Sequence, residues 1–247
     1  RFCLGIFPEA SVWATPVVVI LALVSIIYGA LVAIGQDDLL RMIGLTSLSH
    51  FGFIVLGIFA LTTTAGIGSN LYMINHGFTT AALFLFAGML IKRRGSSRIS
   101  DFGGWQRVTP VLAGVFFVAG LSGLALPGLN SFVSEFLVMM GTFGKYKVAT
   151  IIAVVGVVLA ALYILLMYQR VMTGPKPDDP EIDGRPVRDL NVREKLVAAP
   201  LIALFLILGF FPKPALDLLR PAVTTTLQHV GVTDPAPTQG VAEGSNP

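Results

Sequence analysis

Three side chains could move a proton in a chain that is otherwise short of charge. Glu135 is the single acid between Asp101 and Asp178, and it sits inside the apolar run 111–141. A carboxylate in a bilayer costs at least a few kcal/mol, so a chain that keeps one there is expected to use its charge. His50 lies near the middle of a second apolar run, in T-S-L-S-H-F-G, with Thr46 four residues earlier on the same helical face. His76 lies in a third, in Y-M-I-N-H-G-F-T-T, with Thr80 one turn further on. An imidazole titrates near neutral pH and can take a proton on one ring nitrogen while releasing one from the other. Glu135, His50 and His76 together therefore read as a proton relay. The plainer alternative is that each histidine only bonds a neighbouring helix and Glu135 is half of an ion pair. The sequence offers no obvious cation at similar depth for that pair.

The elements that must hold these groups are hydrophobic helices. Of the 247 residues, 54% are hydrophobic and 13% charged, against about 25% charged in a soluble domain. Six stretches approach the roughly 20 residues that cross a bilayer: 17–34, 39–61, 71–91, 111–141, 148–171 and 196–211. The fourth has 31 residues, too many for one simple span, and contains Pro127-Gly128 followed by Asn130-Ser131. Proline removes a backbone donor and glycine loosens the chain, so a break is expected here, with restart at an Asn130 or Ser131 N-cap. A broken helix at membrane depth requires protein or water to satisfy its free backbone groups, and such breaks occur at ion sites in transporters. The restart's partial positive charge favours a carboxylate at Glu135, whereas burial favours the neutral acid, so the two terms oppose.

The fold class is thus an all-α polytopic membrane protein with about six transmembrane helices, one of them discontinuous. Twelve of the 17 basic residues fall in one set of connections, around Arg41, 92–107 and 170–195, which marks that face as cytoplasmic. By segment, 1–14 reads as the end of a preceding helix and a loop, and 15–171 as the membrane repeat. Residues 172–195 read as a cytoplasmic connection, 196–221 as a last span with its flank, and 222–247 as a polar, disordered tail. The start at Arg1 rather than Met reads as a fragment. Trp13 and Trp105 are expected at the interfaces. Gly114, Gly120, Ser122, Gly123, Ala81 and Ala82 are expected at helix contacts. Asp37, Asp38 and Arg41 read as a local salt bridge or helix cap, and His229 as incidental. One cysteine, Cys3, rules out an intrachain disulfide and an iron–sulfur cluster held by this chain alone. No nucleotide-binding glycine pattern is present, and no nucleic-acid partner is expected.

Taken in order, Q-D-D-L-L-R-M-I-G-L-T-S-L-S-H-F-G-F, N-H-G-F-T-T-A-A-L-F-L-F-A-G and L-A-L-P-G-L-N-S-F-V-S-E-F resemble the antiporter-like membrane subunits of respiratory complex I, from about Arg1 to Pro221. The resemblance implies the second half of an antiporter-like fourteen-helix fold, with residues 111–141 as a discontinuous helix. It also implies a hydrophilic axis in which His50, His76 and Glu135 occupy functional positions. The implied function is a proton-translocating subunit of NADH:quinone oxidoreductase in the inner (plasma) membrane. Flavin, iron–sulfur clusters and quinone would belong to partner subunits, and this chain would hold no cofactor. Its partners would be the lipid bilayer and other membrane subunits, especially neighbouring antiporter-like ones. Glutamate at 135, where sister subunits carry lysine, and the ending D-L-N-V-R-E-K-L narrow the resemblance to one class of subunit. Two departures count against a full transfer. Leu40 stands where the family often has lysine, and the family's other central lysines would lie upstream of Arg1. A subunit of a multi-subunit cation/proton antiporter is the alternative function, and a purely structural membrane scaffold is a third.

Overall fold

A computed structural model describes residues 2–177, 181–182 and 185–234. Its helices are α1 (Phe2–Ile6), α2 (Pro8–Ile34), α3 (Leu39–Phe59), α4 (Thr63–Arg94), α5 (Pro110–Gly123), α6 (Asn130–Phe143), α7 (Lys147–Met172), α8 (Val192–Phe210) and α9 (Lys213–Val230). Two 3₁₀ turns, Ile99–Asp101 and Trp105–Arg107, join α4 to α5. Glu181–Ile182 pairs antiparallel with Arg185–Pro186 in the connection before α8. Four helices, α2, α3, α4 and α7, are each long and apolar enough to cross a membrane. The α8–α9 pair qualifies together but bends by 71°.

The expected broken span is two 14-residue helices, α5 and α6. Neither reaches the length of a full crossing alone. Ala125 closes α5 in the left-handed region at φ 56°, with its N–H to Ser122 O and the Leu126 N–H to Leu121 O. These bonds satisfy carbonyls that the helix end leaves free. Gly128, at φ 94°, then turns the chain into α6. The N-cap differs from expectation: Leu129 occupies it without a side-chain cap, and Asn130 is already helical. The Asn130 side chain is drawn instead into bonds with Asn75, Thr79 and Ser122.

Three further expectations are corrected. Residues 8–14 belong to α2 rather than to a loop, because Pro8 opens the helix where no N–H partner is needed and Glu9 suits its positive end. Residues 222–230 are helical in α9 rather than disordered, while 235–247 lie outside the described residues. Val223 and Leu227 of α9 pack with Leu4, Leu61 and Ile67, which gives this otherwise polar segment an apolar face to bury. Trp105 is 1% exposed and packs edge-on against Phe102, whereas Trp13 is 82% exposed.

Polar clips fix the helix ends on the side that carries most of the Lys and Arg residues. Asp38 caps α3 by accepting from the Arg41 N–H and also takes the Ser97 hydroxyl, contacts that hold its carboxyl below the usual range. Asp37 accepts from the Ser100 N–H and hydroxyl. Arg93, at the end of α4, bonds Glu194, Arg188 O and Asp189 O, while the Asp189 carboxylate caps α5 at Val111 and Leu112. One strap therefore ties α4, α5 and α8 together.

Small residues bring backbones close where packing alone must hold helices in lipid. A Cβ at Gly52 would lie 2.7 Å from Ala22 O, and one at Gly141 would lie 2.2 Å from Ala65 N. Gly120 and Gly123 face Ile164, whereas Gly114 meets nothing within 4 Å. At Gly209 of α8 a Cβ would come within 2.2 Å of Gly128 O, so α8 lies directly on the break. Gly209→Ala is predicted to destabilise the full-length protein by about 1–3 kcal/mol in thermal unfolding. Gly88→Ala, with nothing within 4 Å, should leave the midpoint unchanged or slightly raised. Equal midpoints for the two variants would contradict this packing.

Candidate functional site

Glu135 is 3% exposed, in the second turn of α6 and facing α4. Its Oε2 accepts from the Tyr72 hydroxyl at 3.2 Å. Tyr72 Oη is also 2.7 Å from His50 Nδ1, and His50 Nε2 is 3.1 Å from Tyr163 Oη. The four side chains come from α6, α4, α3 and α7 and form one buried hydrogen-bonded run. The described ion pairs are Arg93–Glu194 and Lys213–Asp217, so among the described residues Glu135 has no cationic partner.

Close helix approach makes this convergence possible. Ser49 and Ser25 bond across the α2–α3 contact to Ile26 O and Leu48 O. Ser69 of α4 bonds Ile54 O of α3 at 2.6 Å, which sets the register that brings Tyr72 beside His50. Asn75 and Asn130 clasp α4 to α6 reciprocally: Asn75 Nδ2 donates to Asn130 O at 2.7 Å, and Asn130 Nδ2 to Asn75 O at 3.2 Å. Thr79, Ser122, Ser131 and Ser134 complete a hydroxyl and amide cluster around the break. Of these bonds, the one from Asn75 Nδ2 to Asn130 O serves the backbone at the restart, as freed backbone groups at membrane depth require.

The sequence-predicted residues are brought together incompletely. His50 and Glu135 are linked through Tyr72 rather than directly. The His76 ring lies 5.2 Å from that of His50, centroid to centroid, and edge-on to Phe51. Thr80 Oγ1 is 3.3 Å from both His76 nitrogens, and its one hydroxyl can serve one of them at a time. Thr46 turns back to Ile43 O and leaves His50 alone. The dipole of α6 acts weakly on Glu135, because Glu135 lies beyond the first turn where that effect is concentrated. Sequence reasoning missed both tyrosines. Tyr72 precedes His76 by four residues and so shares its face, a usable signal. Tyr163 lies on the buried Gly156–Ala160–Met167 face of α7, with little beyond its hydroxyl to mark it.

Donor counting gives the run a direction. Tyr72 has one proton, and donating it to Glu135 leaves its oxygen to accept from His50 Nδ1–H. The neutral ring then accepts at Nε2 from the Tyr163 hydroxyl. With Glu135 protonated, each of these bonds reverses.

Comparison with known proteins places this geometry in context. The family profile described as "NADH:quinone oxidoreductase/Mrp antiporter, TM" matches residues 1–161. NADH-quinone oxidoreductase subunit M of Mycobacterium tuberculosis (strain ATCC 25618 / H37Rv) is 54% identical over 237 residues, 96% of this chain and 42% of that protein. The Rhodobacter capsulatus subunit M is 35% identical over 229 residues, 93% of this chain and 44% of that one. A chain of respiratory complex I from Thermus thermophilus with bound NADH superposes with TM-score 0.86 at 29% identity, covering 94% of this chain and 48% of that one. The Mrp complex from Dietzia sp. DQ12-45-1b gives 0.81 at 22% identity, covering 93% of this chain and 51% of that one, a likeness of fold. The chain spans less than half the length of the curated relatives it matches.

The bond directions carry a spectroscopic prediction. With Glu135 ionised, ¹⁵N NMR should show His50 protonated at Nδ1. In Glu135→Gln the amide can donate to Tyr72, and the ring should switch to Nε2–H. An Nε2–H ring in both proteins would contradict the assigned run.

Proposed function

We propose, from the premise that this chain belongs to the NADH:quinone oxidoreductase/Mrp antiporter transmembrane family, that it is part of a proton-translocating membrane subunit of NADH:quinone oxidoreductase. The observation that carries this reading is the buried run Tyr163–His50–Tyr72–Glu135. The inner (plasma) membrane is its setting, with the Lys- and Arg-rich connections on the cytoplasmic face. The partners are other membrane subunits, neighbouring antiporter-like ones above all. Flavin, iron–sulfur clusters and quinone belong to other subunits of the enzyme.

The run moves one proton per cycle by shifting every bond once. Tyr163 gives its proton to His50 Nε2 and takes a new one from the side that supplies it. His50 passes its Nδ1 proton to Tyr72, and Tyr72 passes its own to Glu135, which becomes a neutral acid. Atoms balance: one proton enters at Tyr163 and one resides on Glu135. Return to the starting polarity requires release from Glu135, reorientation of the hydroxyls and return of His50 from its Nε2–H to its Nδ1–H tautomer. His76 joins the run after a ring rotation or through one water, since its ring lies beside that of His50, tilted by 44°, without a hydrogen bond to it. Moving one charge against 100 mV costs about 2.3 kcal/mol, which quinone chemistry elsewhere in the enzyme must supply.

The reading as a cation/proton antiporter subunit draws on the family description and the Dietzia fold, and it uses the same run. The scaffold reading would leave the run without a task. In the assembled complex, Glu135→Gln is expected to remove most proton movement through this subunit, because a positioned acid–base group contributes about 10²–10⁴-fold. Dye-monitored acidification in vesicles, with quinone turnover and assembly measured in parallel, provides the check. Full pumping in an assembled variant would refute the role of Glu135.

A further inference from the structure

Two lysines stand on the face that is otherwise poor in Lys and Arg. Lys145 and Lys147 occupy the turn between α6 and α7, level with the α3–α4 turn, because Thr62 Oγ1 bonds Gly141 O at 3.0 Å. Neither has a carboxylate partner among the described residues. Their ammonium groups sit over aromatic rings instead, Lys145 over Tyr146 at 5.6 Å and Lys147 over Phe143 at 6.0 Å. Nearby protein already strips part of the water from Lys145 and holds its pKa below the ordinary lysine value.

The same turn roofs a groove of about 620 Å³ that runs down α2 past Val19, Ile20 and Leu23, with Val148 and Ile152 of α7 as its other wall. That volume lies within the roughly 300–1,000 Å³ typical of small-molecule sites. Ile20, Val148 and Ile152 are exposed, so the walls are apolar surface without a partner among the described residues. Trp13, two turns before Ile20 on α2, is also exposed, as expected for an aromatic anchor at the membrane interface. Paired cations above an apolar trough match a molecule with an anionic head and a hydrocarbon tail. An apolar protein helix would match the trough but leave both ammonium groups uncompensated.

We propose that this groove binds an anionic phospholipid, its phosphate held between Lys145 and Lys147 and one acyl chain lying along Val19, Ile20 and Leu23. The two lysines supply charge selectivity, and the α2–α7 walls supply apolar contact.

The test is native mass spectrometry of the full-length protein titrated with phosphatidylglycerol and with phosphatidylcholine of the same chains. The unaltered protein should retain phosphatidylglycerol under activation that strips phosphatidylcholine. Lys145→Gln/Lys147→Gln should weaken phosphatidylglycerol binding roughly tenfold or more, given the attraction that each lysine near an anionic membrane surface contributes. Lys145→Arg/Lys147→Arg should keep the preference and serves as the control for folding. No preference in the unaltered protein would overturn the proposal, since it would mean that the groove lacks selectivity or is covered by protein. An undiminished preference in the folded glutamine variant would overturn it equally.

Discussion

A polar atom held at membrane depth must find its partner within the protein, because hydrocarbon offers none. Everything distinctive in this chain follows from that constraint. His50 carries two ring nitrogens into the interior, and both are engaged, one by Tyr72 and one by Tyr163. Glu135 brings a carboxylate, and Tyr72 serves it as well. Satisfying each group locally links them all into one run with a single sense of donation. The same bonds that make burial tolerable give the run the connectivity that the proposed proton movement requires.

The break between α5 and α6 obeys the same rule. Unwinding at residues 124–129 frees backbone groups, and two features reduce the cost. The turn closes on its own carbonyls, with Ala125 accepting a left-handed conformation, and α4 supplies Asn75 to bond Asn130 O. The clasp between Asn75 and Asn130 lies next in sequence to His76 and one turn from Tyr72. The break and the hydrogen-bonded run are therefore held by the same helix face. α8, whose Gly209 lies against Gly128, adds a further layer over the break.

Much of this was legible in the sequence, for identifiable reasons. Long apolar runs give membrane helices because length and composition suffice. The break could be placed at Pro127-Gly128 because proline and glycine act locally. Glu135, His50 and His76 stood out because ionisable groups in apolar runs are rare. The remainder depended on contacts distant in sequence. Asn130 looks like an N-cap until Asn75 arrives from 55 residues away. Tyr72 and Tyr163 read as ordinary apolar-span tyrosines until α3 places His50 between them. Helix α9 was hidden by its polar composition, and its packing depends on Leu4, near the other end of the chain, and on Leu61 and Ile67. Trp105 resembled an interface anchor, whereas tertiary packing takes it inside.

The central claim is that Tyr72 carries the proton between His50 and Glu135, whereas Tyr163 stands at the far side of His50. Proton movement in the assembled complex, compared between Tyr72→Phe and Tyr163→Phe, addresses it most directly. Each change removes one hydroxyl and preserves shape. Tyr163→Phe leaves one His50 nitrogen unpaired, about 1–3 kcal/mol, and Tyr72→Phe should cost more because it also removes the donor to Glu135, so assembly is measured in parallel. The account predicts that Tyr72→Phe loses most proton movement, because among the described residues no other side chain bonds both His50 and Glu135. Tyr163→Phe should retain more, because water can replace a terminal donor. Proton movement in Tyr72→Phe equal to that of the unaltered protein would contradict the account.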